Sequence, residues 1–331
     1  MDFSTLLQFF PSALRALILA DDISDVMINE DGKVFVDRNG ELEVADGLMI
    51  EAATLVIGIQ NVARLLGGDI DATRPILDTR LPDGSRVAAN YHNGAMTVTV
   101  RKFNRWYSTD ELIESGCLPA FVCSELLGGL RSEYGREKAN VLVSGGTGAG
   151  KSTLAKALID QLPLRERLIV IEKPRELAIS HPNAVRWEAS DGVPDQTVPG
   201  GWREAPKTVA QLLAAALRHR PDRIIIGEVR EPLAAYELVQ ALNTGHAGSI
   251  STIHADSAED AVARLTDLVL ASYSNLAYEF VERRVLRSLD YVVHIARQPE
   301  GRKVTEVLQI RDGGETHRIY AEREKEWSGC H

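Results

Sequence analysis

The sequence predicts an α/β protein: a mostly parallel sheet with helices on both faces, preceded by a small α+β module. Three observations predict it. A strand, a glycine loop and a helix follow one another between Asn140 and Ile159. From Phe121 onward, apolar runs at 141–144, 168–172, 223–227, 249–254 and 290–295 alternate with stretches of helical spacing. Before residue 104 the chain instead reads as hairpins around one helix.

In that first module, Ser24 to Asn29 and Lys33 to Asp37 flank Glu30-Asp31-Gly32, whose Asp-Gly pair marks a hairpin turn. Ile50 to Leu66 has helical periodicity and stops at Gly67-Gly68. Strands are expected at 76–81, 85–91 and 96–103, with Pro82-Asp83-Gly84 turning the chain between the first two. The domain boundaries read as 1–103 for the α+β domain, 104–120 for a linker with a short helix from Ser108 or Thr109, and 121–331 for the α/β domain. The Gly- and Pro-rich segment Asp191 to Lys207 reads as a surface loop.

Composition narrows the class. The 331 residues suffice for two domains, and 44% hydrophobic with 25% charged residues is ordinary for a soluble globular protein. A formal charge of −10 argues against a general nucleic-acid binder. Cys117, Cys123 and Cys330 lack metal-ligand spacing and read as reduced thiols of a cytoplasmic protein. Phe3, Leu6, Leu7, Phe9, Phe10, Leu14, Leu17, Ile18 and Leu19 are apolar, but Asp2, Pro11 and Arg15 argue against a signal peptide or a span. They read as an amphipathic first helix packed on its own domain.

Chemistry concentrates in four segments. Gly145, Gly146, Thr147, Gly148, Ala149 and Gly150 form a phosphate-cradling loop, and Lys151, Ser152 and Thr153 open the following helix. Glycines let backbone N–H groups converge on phosphates, and the helix N-terminus adds a favourable dipole. Lys151 is expected to reach the β- and γ-phosphates of ATP, and the Ser152 hydroxyl to ligate Mg²⁺. The apolar run Leu168 to Ile171 ends in Glu172, at the strand end where ligands sit in open α/β sheets. Ile224, Ile225 and Ile226 lead through Gly227 to Glu228, placed to orient water or to hold Mg²⁺ through water, with Arg230 nearby for a carboxylate or phosphate. Asn243 to Ala255 combines His246 and His254 with glycines and hydroxyl residues, a set suited to sensing the γ-phosphate.

Taken in order, these segments resemble the type II/IV secretion ATPase superfamily. Gly145–Thr153 resembles its Walker A motif, Ile171–Leu177 its Asp box, Arg220–Arg230 its Walker B segment and Asn243–Ala255 its His box. The compact length and the Leu-Asn-Thr-Gly-His wording are closest to the conjugal-transfer ATPases of the TrbB kind and type IV secretion relatives, with tight-adherence pilus ATPases also similar. The resemblance implies a RecA-like P-loop domain behind a PAS-like N-terminal domain, assembled as hexameric rings with nucleotide held between the domains. It also implies arginines from the N-terminal domain and linker at the phosphates; Arg86 and Arg101 occupy the matching segments, and Arg105 follows. Such a protein hydrolyses ATP for inner-membrane secretion or conjugation machinery, from the cytoplasm or the inner-membrane surface. Two departures stand out: Lys173 replaces the Asp of the Asp box, and the 191–207 segment is long. A P-loop kinase of a small acceptor, or a nucleotide switch silenced by Lys173, shares the same loop.

Overall fold

The computed structural model describes residues 3–38, 41–102, 106–131, 138–194, 202–272, 276–311 and 313–322. The chain divides into two compact units, Met1–Arg105 and Trp106–His331. Arg105, Cys330 and the middle of the 191–207 segment lie outside the described residues.

The first unit runs α1 (Phe3–Leu7), α2 (Ser12–Leu19), β1 (Ile23–Ile28), β2 (Lys33–Arg38), β3 (Glu41–Met49), α3 (Ala52–Leu65), β4 (Ile76–Arg80), β5 (Arg86–His92) and β6 (Ala95–Arg101). Its strands form one antiparallel sheet ordered β3-β2-β1-β6-β5-β4. Period-2 alternation buries Val26, Val36, Val87, Val98 and Val100 in one core with Leu14 and Ile18 of α2 and Leu55, Ile59 and Val62 of α3. The expected first helix is two, because Pro11 cannot continue α1 and instead occupies the N-cap of α2. The Asp-Gly hairpin forms as expected, with Gly32 at φ +81°, where a side chain would be strained.

The second unit begins with α4 (Thr109–Glu114) and α5 (Ala120–Leu130). Ser108 and Glu111 close a reciprocal capping box that starts α4. From Trp106 the expected linker belongs to this unit, since Leu112, Cys117 and Leu118 are buried against α5. There follow β7 (Val141–Ser144), α6 (Lys151–Ile159), β8 (Leu168–Glu172), β9 (Ala184–Glu188), β10 (Val193–Pro194), β11 (Trp202–Glu204), α7 (Val209–Ala216), β12 (Arg223–Ile226), α8 (Pro232–Leu242), β13 (Ile250–Ile253), α9 (Ala258–Ser272), α10 (Tyr278–Ser288), β14 (Tyr291–Gln298), β15 (Gly301–Arg311) and β16 (Glu315–Ala321). The main sheet is ordered β16-β15-β14-β7-β13-β12-β8-β9. Its six strands from β14 to β9 are parallel, and β15 and β16 add an antiparallel edge. One face packs on α5 and α6, the other on α7 to α10. Burial on both faces explains the continuous apolar runs: all of β7, β8, β12 and β13 is buried. Register levels their C-terminal ends, since Ile253 pairs with Ser144 and Ile226 pairs with both Ile171 and Ser251. The loops after these strands therefore open on one edge of the sheet.

Candidate active site

The glycine loop leaves β7 and enters α6 as expected. Gly145 has φ +154°, and a β-carbon there would collide with the Ile295 carbonyl, so only glycine fits. Gly150 sits in the left-handed region at φ +105° and caps α6. Lys151 is buried and donates from Nζ to the carbonyls of Gly145 and Gly146, each at 2.8 Å. Burial pulls its ammonium below the ordinary lysine value, with Glu228 opposing.

Glu228 follows β12, and its loop is clamped by the neighbouring strand. Thr252 Oγ1 donates to the Gly227 carbonyl at 2.6 Å, and Val229 N donates to the Thr252 carbonyl at 2.8 Å. His254 leaves the same strand β13 and bridges the two motifs: its Nε2 lies 3.4 Å from Lys151 Nζ and 3.2 Å from Glu228 Oε1. Arg230 pairs with Glu228 Oε2. Lys151, His254, Glu228 and Arg230 thus form one chain of contacts, although up to 103 residues separate them in sequence. Burial first, then the Lys151 ammonium, hold the His254 imidazole below its ordinary value, so it is neutral at neutral pH. Ser152 is in the first turn of α6.

Mg²⁺ would suit this donor set. A hydroxyl and a carboxylate supply hard oxygens, and Glu228 Oε1 is buried without accepting a hydrogen bond. Among the described residues no cluster of three or more His, Cys, Asp or Glu side chains could hold a metal ion.

Other expected residues are placed differently. Glu172 ends β8 but turns onto its own loop: Oε1 accepts from the amides of Glu176 at 2.7 Å and Leu177 at 2.8 Å. Arg186 lies 3.5 Å from Oε2, and burial pushes the Glu172 carboxyl up. Lys173 bonds Asp191 at 2.6 Å and lies 3.6 Å from Glu231. His246, expected in the nucleotide group, is not brought beside Lys151, Glu228 and His254 in this chain. It precedes β13, at the opposite edge of the sheet from the glycine loop, where its carbonyl accepts from Ser249 Oγ at 3.3 Å. Arg223, Glu166, Gly248 and Asn140 form the hydrogen-bonded floor of that edge. Arg86 and Arg101 face each other on β5 and β6 of the first unit, held by Asp78 and Asp25 respectively.

The sequence did not announce Arg302. It follows the tight turn into β15 and donates from Nε to the Gly148 carbonyl at 2.8 Å. A lone arginine in a polar antiparallel strand carries no motif.

A glycine loop opening a helix, beside a strand-end glutamate and histidine in a mostly parallel sheet, defines a P-loop protein that binds nucleoside triphosphates. The chain belongs to the family described as type II/IV secretion system protein, whose pattern matches residues 12–325. It is 33% identical over 302 residues to a conjugal transfer protein TrbB of Rhizobium radiobacter, covering 89% of this chain and 86% of that one. Against the type IV secretion system protein VirB11 of Brucella suis it is 30% identical over 329 residues, covering 91% and 89%. Its fold is shared with the Legionella pneumophila ATPase DotB (TM-score 0.63, 20% identity, 92% and 82% coverage). The pilus retraction motor PilT with bound ADP is equally alike (TM-score 0.63, 20% identity, 90% and 82% coverage).

Proposed function

We propose that this chain is the ATP-hydrolysing motor subunit of a type IV secretion or conjugal-transfer machine, or of a related pilus, and works as a hexameric ring. The observation that carries this reading is the contact chain from Lys151 through His254 to Glu228 and Arg230, which joins three motifs at one sheet edge. Family membership supports the machine, and the α/β fold supports a RecA-like motor domain behind a PAS-like one.

In this reading the amides of Gly146 to Lys151 and the α6 N-terminus hold the phosphates of ATP. Lys151 exchanges its loop carbonyls for β- and γ-phosphate oxygens and stabilises the charge of the transferring group. Glu228 orients a water in line with the γ-phosphorus and accepts its proton as the bond to the ADP oxygen breaks. His254, neutral and in reach of both Lys151 and Glu228, carries the phosphate's presence into β13. Ser152 and, through water, Glu228 hold Mg²⁺, which when bound neutralises phosphate charge. Glu172 supports from behind by holding the 173–177 loop. Arg230 contacts Glu228 and a phosphate in turn. Arg86 and Arg101 are assigned to the same reaction on the family resemblance. Among the described residues no helix is long and apolar enough to cross a membrane, so attachment to an inner-membrane machine is peripheral in this reading.

The test is ATP hydrolysis per subunit across protein concentration. Specific activity that climbs and saturates supports a ring that completes the active sites; no hydrolysis at any concentration would count against the motor reading.

A further inference from the structure

β9 is the terminal strand of the second unit's sheet, and its neighbour β8 ends in Glu172. A groove of about 380 Å³ runs between β9 and α7, within the size range of small-molecule sites. Its lining residues are separate from the glycine loop, and of them only Arg175 lies within a family motif, the 171–177 segment.

Arg175, Arg186 and Lys207 line the groove, against a single carboxylate, Glu188. Their internal contacts leave capacity over. Arg175 lies 3.9 Å from Glu188 and donates from Nη2 to the Arg186 carbonyl. Arg186 donates from Nη2 to the Leu177 carbonyl and approaches Glu172. The Nε–H of each is buried and makes no hydrogen bond among the described residues, that of Arg175 being the atom 3.9 Å from Glu188 Oε2. Lys207 is fixed beside them by paired backbone hydrogen bonds with Ser190 at 2.9 and 2.8 Å. Its ammonium makes no ion pair among the described residues.

The other wall is of a different kind. Trp187 and His219 meet edge to face, centroids 5.0 Å apart at 86°, with Leu212 beside them. Cations on one side and a ring-lined apolar wall on the other suit a ligand that is itself divided, with a charged head and a flat body. Three cations line the groove against Glu188, with Glu172 behind Arg186, and the positive balance favours an anionic head.

We propose that this groove is a binding site for a small phosphate-bearing ring compound of the nucleoside monophosphate class, with the phosphate on Arg175, Arg186 and Lys207 and the ring against Trp187 and His219. Arg186 then links the ligand to Glu172 and hence to the loop after β8.

Calorimetric titration of the full chain tests this, after ADP and Mg²⁺ have saturated the glycine loop. The ADP isotherm reports that loop independently, so failure there is distinguishable from failure here. AMP and GMP are titrated next, with inorganic phosphate as the ring-free probe and tryptophan fluorescence, compared with a Trp187→Phe variant, as a local signal. The expected result is saturable binding of at least one nucleotide with Kd below about 1 mM, and binding of phosphate about tenfold weaker or more. Lys207→Glu and His219→Ala change exposed side chains and leave the fold intact; each weakens the nucleotide, the former by about tenfold or more. The proposal is overturned by absence of saturable binding, by phosphate binding as tightly as the nucleotides, or by an unchanged Kd in Lys207→Glu.

Discussion

Arg302 Nε donates a 2.8 Å hydrogen bond to the carbonyl of Gly148, so the antiparallel edge of the sheet holds the crown of the phosphate loop. Gly148 sits at φ +71° and Gly150 at φ +105°, with the Arg302 Cδ 3.3 Å from where a Gly150 β-carbon would lie. A loop of glycines gains mobility from its missing side chains, and an outside clamp restores the shape that its amides need. Arg302→Ala should weaken ADP binding by about 1–2 kcal/mol, roughly tenfold in Kd, without unfolding the chain. Titration with a fluorescent ADP analogue measures this, and an unchanged Kd would show that the clamp is idle.

Gly227 stands where a β-carbon would come within 2.9 Å of Glu172 Cγ, so the glycine before Glu228 is required by the neighbouring strand's carboxylate. Gly227→Ala must push Glu172 off the amides of Glu176 and Leu177 or shift β12. The expected loss is about 1–3 kcal/mol of stability, as for other overpacked interiors. Urea denaturation checks it; a midpoint equal to that of the parent chain contradicts the packing argument.

The charge of His254 gives a pH test. Burial and the Lys151 ammonium disfavour the imidazolium, so its pKa in the folded chain lies below 6.5. The unfolded chain therefore takes up this proton first as pH falls, and stability decreases between 6.5 and the lower folded value. Turnover should stay level from neutral pH down to 6.5 and fall only below it, and His254→Gln should lose that acid limb. Half-loss of turnover above 6.5, traced to His254 by the variant, runs against the geometry.

Lys173 departs from the family pattern, yet the structure gives it carboxylate partners in Asp191 and Glu231. It joins the loop after β8 to the segment before α8. Lys173→Asp would place three carboxylates together, so turnover should fall or stay unchanged. A large rise in ATP turnover in this variant would instead mark Lys173 as a silencing substitution.

What the sequence showed of the fold follows from burial. The expected runs 141–144 and 168–172 match β7 and β8 because strands covered on both faces are continuously apolar. β9, read Ala-Val-Arg-Trp-Glu, is a half-exposed edge with neither a continuous nor an alternating pattern, and it escaped notice. β3 did likewise, with Leu42, Val44 and Met49 exposed. At the site, Lys151, Glu228 and His254 were legible because motifs stand at strand ends. His246 and His254 lie at opposite ends of β13, which their nearness in sequence does not reveal. Arg302 was invisible, since it reaches Gly148 across 154 residues of chain.

The central claim is that ATP is hydrolysed at the chain of contacts beginning with Lys151. The direct measurement is steady-state ATP turnover of the full chain beside Lys151→Ala, with circular dichroism on both. The account predicts turnover in the parent chain and a loss of about 100-fold or more in the variant, with matching spectra. Equal turnover in two equally folded proteins would contradict it.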